Sequence, residues 1–266
     1  MIITKDNYSV YEENGNFRIA VFSSIGERNE QQDSAGYILN EDGGIVVLCD
    51  GMGGHEGGKI ISTTTTQLIL NRFQSENRDF YDDEFLTNLL KGLDFHITSL
   101  KREDGSPVRG GTTCVIVILK EKRCRWFSVG DSRLYLLRNG EMKQLSEDHT
   151  YQKRLDRMYS DNQISEEEYK LESERKGEML ISFLGVGELN EISFGKTPLS
   201  LLSGDGLLIA SDGLYKYIQE DNIPGILNNF SNEEDALRAL EAKVKKSNSD
   251  SDKRRDNMTL ALIRVK

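Results

Sequence analysis

Aspartates at the ends of apolar runs are the residues of this sequence best suited to do chemistry. Three of them precede a small or turn-forming residue, and these pairs are Asp50-Gly51, Asp131-Ser132 and Asp212-Gly213. A fourth, Asp256, stands just before the last apolar run. Buried strands hold their end residues rigidly, so carboxylates placed there can converge on one point. Clustered carboxylates repel one another unless cations compensate, and hard oxygen ligands suit Mg²⁺ or Mn²⁺. The pattern predicts a divalent metal centre.

The glycine-rich loop after Asp50 supports this prediction. A single Asp-Gly pair after a strand is a common turn signal and alone indicates only a turn. The segment DGMGGHEGG (50–58) has five glycines in nine residues, which carries an entropic cost that an ordinary turn does not require. Glycine lets the backbone approach a bound ion closely, and its carbonyl can add a neutral oxygen ligand.

The same loop raises an alternative from another class of enzyme. GGHEGGK (53–59) has the G-x-x-x-x-G-K spacing of a phosphate-binding P-loop, after a strand and at the start of a helix. That motif needs Ser or Thr next to bind Mg²⁺, and this chain has Ile60. Nucleotide hydrolysis would also leave the other aspartates unexplained.

Histidines and cysteines argue against a zinc or redox centre. The chain has three of each, the cysteines in apolar stretches without a closely spaced pair: His55, His96, His149, Cys49, Cys114 and Cys124. Buried thiols without a chemical role and an oxygen-ligated metal are the interpretation that we favour.

Short apolar runs rich in Val, Ile, Leu and aromatic residues predict the strands that would position these aspartates. They cover 17–24, 44–50, 112–120, 125–131, 133–137, 206–212 and 258–265. Apolar residues at helical spacing predict helices over 57–74, 83–103 and about 233–246. The strands come in consecutive pairs, which favours an α+β fold with antiparallel sheets and segregated helices over a doubly wound parallel sheet.

Composition limits the classes of function. The 266 residues include 34 Lys and Arg against 44 Asp and Glu, a net charge of -10 that argues against a nucleic-acid partner. No apolar run approaches the roughly 20 residues of a membrane-spanning helix, and the N-terminus lacks the apolar core of a signal peptide. We expect a cytoplasmic protein that is not bound to a membrane.

A single domain over 1–266 is expected, because no Pro-rich or Gly/Ser-rich linker divides the chain. The densely charged stretch 149–179 resembles a surface insertion, or flap. A second polar stretch, 245–257, is expected to be mobile over most of its length.

Six segments in order resemble the metal-dependent type 2C serine/threonine protein phosphatases. They are RNEQQDS (28–34), VVLCDGMGGHEGG (46–58), GGTTCVIV (110–117), FSVGDSRLYLLRNGEMKQLSEDHT (127–150), GDGLLIASDGLYKYI (204–218) and RDNMTLALI (255–263). Met52 and the HEGG after Gly54 are similar to the bacterial branch of that family. The resemblance implies an αββα sandwich, in which two antiparallel sheets lie between helices.

The resemblance also implies metal-binding roles for particular residues. Asp50 would bridge two catalytic ions, Mn²⁺ or Mg²⁺, and the Gly51 carbonyl would bind one of them. Asp212 and Asp256 would supply the remaining catalytic carboxylates. Asp131 would hold a third ion together with Asp212, although it could instead merely cap a turn.

Two further residues are given roles around the metals by the same resemblance. Arg28 would bind the substrate phosphate, for which a planar guanidinium is suited, although it could instead be an ordinary surface residue. Asp33 would lie in the outer shell and orient metal-bound water.

The implied activity is hydrolysis of phosphoserine and phosphothreonine in proteins, by in-line attack of water activated by two cations. Substrates would be phosphoproteins, with a serine/threonine kinase as the antagonist, and the protein would act as a monomer. A pseudophosphatase that binds phosphoproteins without turnover is the alternative, which the complete aspartate set disfavours.

Some positions differ from the family pattern, and the group that acts as general acid is undecided. Gln32 replaces a frequent Glu, and the general acid is undecided, because Met52 stands where many eukaryotic relatives have His. His55 and a metal-bound water are the candidates, and we favour water. No catalytic role is expected for His149, and Thr112 and Thr113 are expected to be structural.

Overall fold

A computed structural model describes residues 1–54, 56–75, 82–247 and 254–266 of the chain. Its strands are β1 (Ile2–Ile3), β2 (Tyr8–Glu13), β3 (Phe17–Ser24), β4 (Ser34–Leu39), β5 (Gly43–Cys49), β6 (Gly51–Met52), β7 (Gly111–Thr112), β8 (Cys114–Lys120), β9 (Arg123–Val129), β10 (Arg133–Arg138), β11 (Glu141–Gln144), β12 (Ser193–Phe194), β13 (Leu199–Ser200), β14 (Gly206–Ala210) and β15 (Met258–Val265). Its α-helices are α1 (Gly57–Ser75), α2 (Asp83–Thr98), α3 (Tyr151–Ser160), α4 (Glu166–Lys176), α5 (Asp212–Tyr215), α6 (Ile223–Asn228) and α7 (Glu233–Lys246). A short 3-10 helix covers Glu220–Asn222.

Two antiparallel sheets form the centre of the molecule. The first has the order β1-β4-β5-β8-β9-β12, with β13 also paired to β9, and the second has the order β11-β10-β14-β15-β3-β2. All pairings in both are antiparallel. The predicted antiparallel arrangement is confirmed.

Helices cover the outer faces of both sheets. In β5, Val46 and Leu48 belong to the core between the sheets, while Ile45 and Val47 pack with residues of α1 and α2 on the outer face. Helices α5, α6 and α7 pack in the same way on the second sheet. The predicted αββα sandwich is therefore confirmed, and burial on both faces explains why these strands read as continuous apolar runs.

One predicted helix is too long. Helix α2 ends at Thr98, not at residue 103, because the following residues close it. The Ser99 N–H donates to the His96 carbonyl at 3.0 Å, and the Leu100 N–H donates to the Ile97 carbonyl at 3.1 Å. The next residues form a turn, in which Lys101 makes a β-bridge with Pro107.

The predicted strand 112–120 is interrupted, since Thr113 lies between β7 and β8.

The predicted insertion contains a pair of surface helices, α3 and α4, which we call the 149–179 hairpin. The Tyr169 hydroxyl of α4 donates to Asp156 of α3 at 2.8 Å, and no residue of α4 is buried. The base is closed by a β-bridge between Thr150 and Leu180. Whether the hairpin acts as a flap stays a prediction.

Other predictions concern burial and membranes. Cys49, Cys114 and Cys124 are free and buried, as expected. Within the described ranges, no helix combines the length and apolar character needed to cross a bilayer. Residues 248–253 of the 245–257 stretch that was expected to be mobile lie outside the described residues.

Candidate metal centre

A cleft of about 460 Å³ opens where strands of both sheets end. Asp50 follows β5 and Asp131 lies just beyond β9 in the first sheet, while Asp212 lies just beyond β14 and Asp256 just before β15 in the second. All four aspartates line the cleft, together with Gly51 and Arg28. The structure thus brings the predicted metal-binding residues and the predicted phosphate-binding residue together.

Threonines of the neighbouring segment fix the backbone of Asp50. Its N–H donates to Thr113 Oγ1 at 3.0 Å, and its carbonyl accepts from the Thr113 N–H at 2.9 Å and from Thr112 Oγ1 at 2.8 Å. The Thr113 hydroxyl also hydrogen-bonds Ser132 Oγ at 2.7 Å. These contacts agree with the structural role expected of both threonines, and they connect the turn after Asp131 to Asp50.

Glycine is required at position 51 by the close approach of three backbone segments. A Cβ there would lie within 3.0 Å of the carbonyl oxygens of Gly58 and Gln32, closer than side chains approach. The Gly51 N–H donates to the Gln32 carbonyl at 3.2 Å. The loop is therefore packed against the segment that carries Gln32 and Asp33.

A second close approach joins Asp212 to Asp256. A Cβ at Gly213 would lie within 3.0 Å of the Asn257 carbonyl group, so the first turn of α5 lies directly on the segment that leads into β15. Asp256 Oδ1 accepts from the Asn257 N–H at 2.9 Å, and Asp256 Oδ2 pairs with Arg28 Nη2 at 2.6 Å.

Asn257 ties the loop that carries Arg28 to the same place. Its side-chain amide donates to the carbonyls of Ile25 and Glu30 at 2.9 and 3.0 Å, and its Oδ1 accepts from the Gln32 N–H at 2.9 Å. The Gln32 side chain donates to the Gly53 carbonyl at 3.1 Å. Gln32 thus braces the glycine-rich loop.

Asp131 contacts Tyr215 of α5, and Asp212 contacts Lys216, the residue that follows α5. The Tyr215 hydroxyl lies 3.0 Å from the Asp131 carbonyl oxygen and 3.1 Å from its Oδ2, and Lys216 Nζ lies 2.6 Å from Asp212 Oδ2. Within the described part of the chain, the other oxygen, Asp212 Oδ1, is buried and has no hydrogen-bond partner.

Burial and mutual repulsion make the aspartate cluster costly to ionise. Burial, reinforced by the surrounding carboxylates, raises the pKa of Asp50 well above its ordinary value. Burial and the charge of Asp212 raise the pKa of Asp131 to about 6 and also raise that of Asp256. A divalent cation would relieve this repulsion.

Asp33 lies behind the cleft. It is 2% exposed, and its Oδ2 accepts from the Ser211 hydroxyl at 2.9 Å. Burial and the charges of Asp212 and Asp256 raise its pKa to about 7, although the Ser211 hydrogen bond acts in the opposite direction. Asp33 therefore belongs electrostatically to the cluster.

The donor set fits hard divalent cations. It consists of carboxylates, one of which has a buried, unpartnered oxygen. Among the described residues that line the cleft, the positively charged ones are Arg28 and Lys216. In the described ranges no three His, Cys, Asp or Glu side chains already form a closed ligand group. Mg²⁺ does not need one, because it keeps several waters and binds through one or two carboxylates.

The contacts of Lys59 and Ile60 do not support the interpretation of this loop as a P-loop. Lys59 Nζ lies 3.6 Å from Glu30, and Ile60 packs against the apolar cluster beneath α1. Position 60 therefore supplies no hydroxyl for Mg²⁺, and the nucleotide-hydrolase alternative is not supported.

The histidines contribute little to the cleft that the structure describes. His149 is buried, and its Nδ1 accepts from the Gly130 N–H at 3.1 Å, consistent with its expected lack of a catalytic role. Burial lowers its pKa. Met52 lines the cleft, and His55, the protein candidate for the general acid, lies outside the described residues.

Sequence reasoning missed the residues that position the aspartates. They are Ser211, Tyr215, Asn257 and Lys216. The first three act through contacts with residues distant in the sequence, which residue spacing does not reveal. Lys216 alone left a signal, because it follows Asp212 by four residues and such positions meet on one helix face.

Comparison with known proteins agrees with this geometry. A family model described as Protein phosphatase 2C matches residues 23–261. The curated serine/threonine phosphatase stp of Listeria monocytogenes is 31% identical over 244 residues, which covers 89% of this chain and 90% of the relative. Protein phosphatase PhpP of Streptococcus pneumoniae is 27% identical over 250 residues, covering 92% of this chain and 96% of the relative.

Solved structures give the same result. The S. agalactiae serine/threonine phosphatase superposes with a TM-score of 0.77 at 25% identity, covering 94% of this chain and 100% of that chain. The serine/threonine phosphatase of Staphylococcus aureus gives 0.75 at 26% identity, covering 93% of this chain and 94% of that one. Since the family model matches most of its length and a relative is 31% identical to it, this chain belongs to the protein phosphatase 2C family.

Proposed function

We propose that this enzyme hydrolyses phosphoserine and phosphothreonine in proteins with the help of Mn²⁺ or Mg²⁺. Asp50, Asp212 and Asp256, with the Gly51 carbonyl, would hold two catalytic ions. The observation that carries the proposal is that aspartates from separate segments of both sheets line one cleft. When bound, such a pair of ions supplies a water nucleophile of lowered pKa that attacks phosphorus in line.

Arg28 is suited to orient the phosphate at the mouth of the cleft. Its side chain is 51% exposed, and one of its nitrogens pairs with Asp256. A guanidinium has five N–H donors in a planar fork, so this single ion pair leaves donors for two phosphate oxygens. Through Asp256, the arginine would align the phosphate with the carboxylates.

Asp33 and the residues around it would set the geometry of the carboxylates without touching substrate. Ser211, the residue before Asp212, binds Asp33, and Asn257, the residue after Asp256, binds the loop that carries Arg28. We propose that Asp33 orients water in the cleft from this outer position.

The direct test is a metal-dependence assay. Hydrolysis of p-nitrophenyl phosphate and of a phosphothreonine peptide is expected with Mn²⁺, and a chelator should reduce both rates at least tenfold because the carboxylate cluster alone has no nucleophile. Restoring Mn²⁺ should restore the rates. Chelator-resistant turnover would contradict the proposed mechanism.

The pseudophosphatase alternative gives a different result in the same assay. A phosphoprotein-binding module would bind the peptide but release no phosphate at any Mn²⁺ concentration. The presence of all four cleft aspartates favours turnover. Phosphoproteins made by a serine/threonine kinase would be the substrates of a cytoplasmic, monomeric enzyme.

The 149–179 hairpin is proposed to select protein substrates, because Glu178 and Met179 at its end line the cleft. The Gln152 N–H donates to the Gly177 carbonyl at 2.9 Å, so residues 153–176 can be replaced by a short Gly-Ser linker without moving the base. We expect altered preference among phosphoproteins and an unchanged rate on p-nitrophenyl phosphate.

Rates on both substrate types distinguish selection from support of the fold. Equal losses on phosphoproteins and on p-nitrophenyl phosphate would mean that the hairpin stabilises the cleft. Circular dichroism of the shortened protein controls for folding.

A further inference from the structure

Lys216 places a positive charge inside the candidate metal centre. It follows α5 and lies four residues after Asp212, and its Nζ is 2.6 Å from Asp212 Oδ2. The lysine side chain is 39% exposed, whereas that of Asp212 is only 14% exposed. Lys216 lines the cleft together with Asp131 and Asp212. The ammonium therefore lies between the cleft solvent and a predicted metal ligand.

The Asp131 side of this region is also occupied by protein groups. The Tyr215 hydroxyl lies within hydrogen-bond distance of Asp131 Oδ2, and the Arg133 guanidinium lies 3.6 Å from the centre of the Tyr215 ring. Arg133 is fixed by Asp148 at 2.6 Å and by Glu220 at 2.5 Å. Tyr215 is thus held in place beside Asp131 by an ion-pair network.

Asp131 and Asp212 are the pair expected to hold a third divalent ion. Each of them has one carboxylate oxygen bound by a side chain of α5 or the residue after it. A lysine ammonium is a compact charge with three donors, so it satisfies carboxylate oxygens in the way a small cation does. A third ion between Asp131 and Asp212 would compete with this ammonium for Asp212 Oδ2 and would meet its positive charge.

We propose that the Lys216 ammonium takes the place of the third divalent ion, so that this enzyme works with two bound ions and an internal cation. The inference rests on the proposed two-ion function. It makes Lys216 a positioning residue, which holds Asp212 for the catalytic ions and compensates Asp131.

The position of Lys216 agrees with this role. Its Nζ binds Asp212 Oδ2 directly, and its side chain lines the same cleft as Asp131. Its charge can therefore act on both carboxylates of the pair.

Binding stoichiometry tests the inference without relying on turnover. In calorimetric titrations with Mn²⁺, the wild type is expected to bind two ions, and Lys216→Met should bind one more, at least tenfold more tightly than any third ion on the wild type. Lys216→Arg keeps a cation and should bind as the wild type does. Lys170→Met removes an exposed lysine that pairs with Glu166 at the same spacing, and it should change nothing.

A second variant locates the additional ion. Adding Asp131→Ala to Lys216→Met should abolish the extra binding, and its persistence would show that the ion binds elsewhere and overturn the inference. Equal stoichiometry for wild type and Lys216→Met would also overturn it. If the wild type binds no Mn²⁺, the proposed two-ion centre itself fails, and this result is distinct from the others.

Discussion

Asparagine at position 50 or 212 is expected to reduce turnover at saturating Mn²⁺ to less than about a tenth of the wild-type value. The change keeps the size and one oxygen of each side chain and removes only its charge. In Asp212 the second oxygen is buried without a partner in the described structure, so it is available to an ion. Rates on p-nitrophenyl phosphate, measured across a Mn²⁺ titration, check the expectation.

The stability of the Asp50 variant should move in the opposite direction. Burial and four neighbouring aspartates raise the pKa of Asp50, which means that its ionised form destabilises the fold at neutral pH. Asp50→Asn should therefore raise the melting temperature in chelator and weaken the further increase that Mn²⁺ gives the wild type. Loss of activity with a lower melting temperature would instead indicate damage to the fold.

A matched control tests whether the loss of activity is specific to aspartates of the cleft or common to aspartates in the first turn of a helix. Asp235 lies in the first turn of α7, as Asp212 lies in the first turn of α5, but Asp235 is exposed and outside the cleft. Asp235→Asn should keep the wild-type rate and metal requirement. If either cleft variant retains more than about a tenth of wild-type turnover, that aspartate does not belong to the metal core.

Strands buried on both faces were the part of the fold that the sequence predicted best. The run FRIAVFSS was predicted over 17–24, and β3 covers Phe17–Ser24. Strand β2, YSVYEE, was missed because it lies at the edge of the second sheet and is mostly exposed. Its charged and polar residues suit an edge strand, but they give no apolar run from which a strand could be predicted.

The helices of the 149–179 hairpin were missed for a related reason. Helix α4 has no buried residue, so no apolar stripe marks it. The signal that was available lies in its first turn, where Ser165 and Glu168 form a capping box. A capping motif can therefore identify a surface helix that hydrophobic periodicity does not reveal.

The aspartates of the centre could be predicted, but their supports could not. A strand-end carboxylate is visible in the sequence, whereas Asn257 serves the site by binding Ile25 and Glu30, more than 200 positions away in the chain. The pairing of β15 with β3 brings these segments together. Such residues depend on topology, which spacing along the chain does not encode.

Replacing Gly213 by alanine should distinguish helix propensity from packing at the centre. Alanine stabilises a helix interior by about 0.5–1 kcal/mol relative to glycine, so propensity alone predicts a more stable protein. At Gly213, however, the new Cβ would lie within 3.0 Å of backbone atoms of Asn257, which cannot rotate away. Overpacking of this kind costs about 1–3 kcal/mol, and we expect a lower free energy of unfolding.

The same substitution should lower activity, because relieving the clash moves Asp212 away from Asp256 and displacements of about 1 Å can cost a hundredfold in rate. Gly225→Ala in α6 is the control, since a Cβ there meets no atom within 4 Å. It should leave turnover unchanged and stability equal or higher. Urea denaturation and p-nitrophenyl phosphate kinetics on both variants measure the two effects. Gly213→Ala with unchanged stability and rate would mean that the contact with Asn257 does not set the distance between the two aspartates.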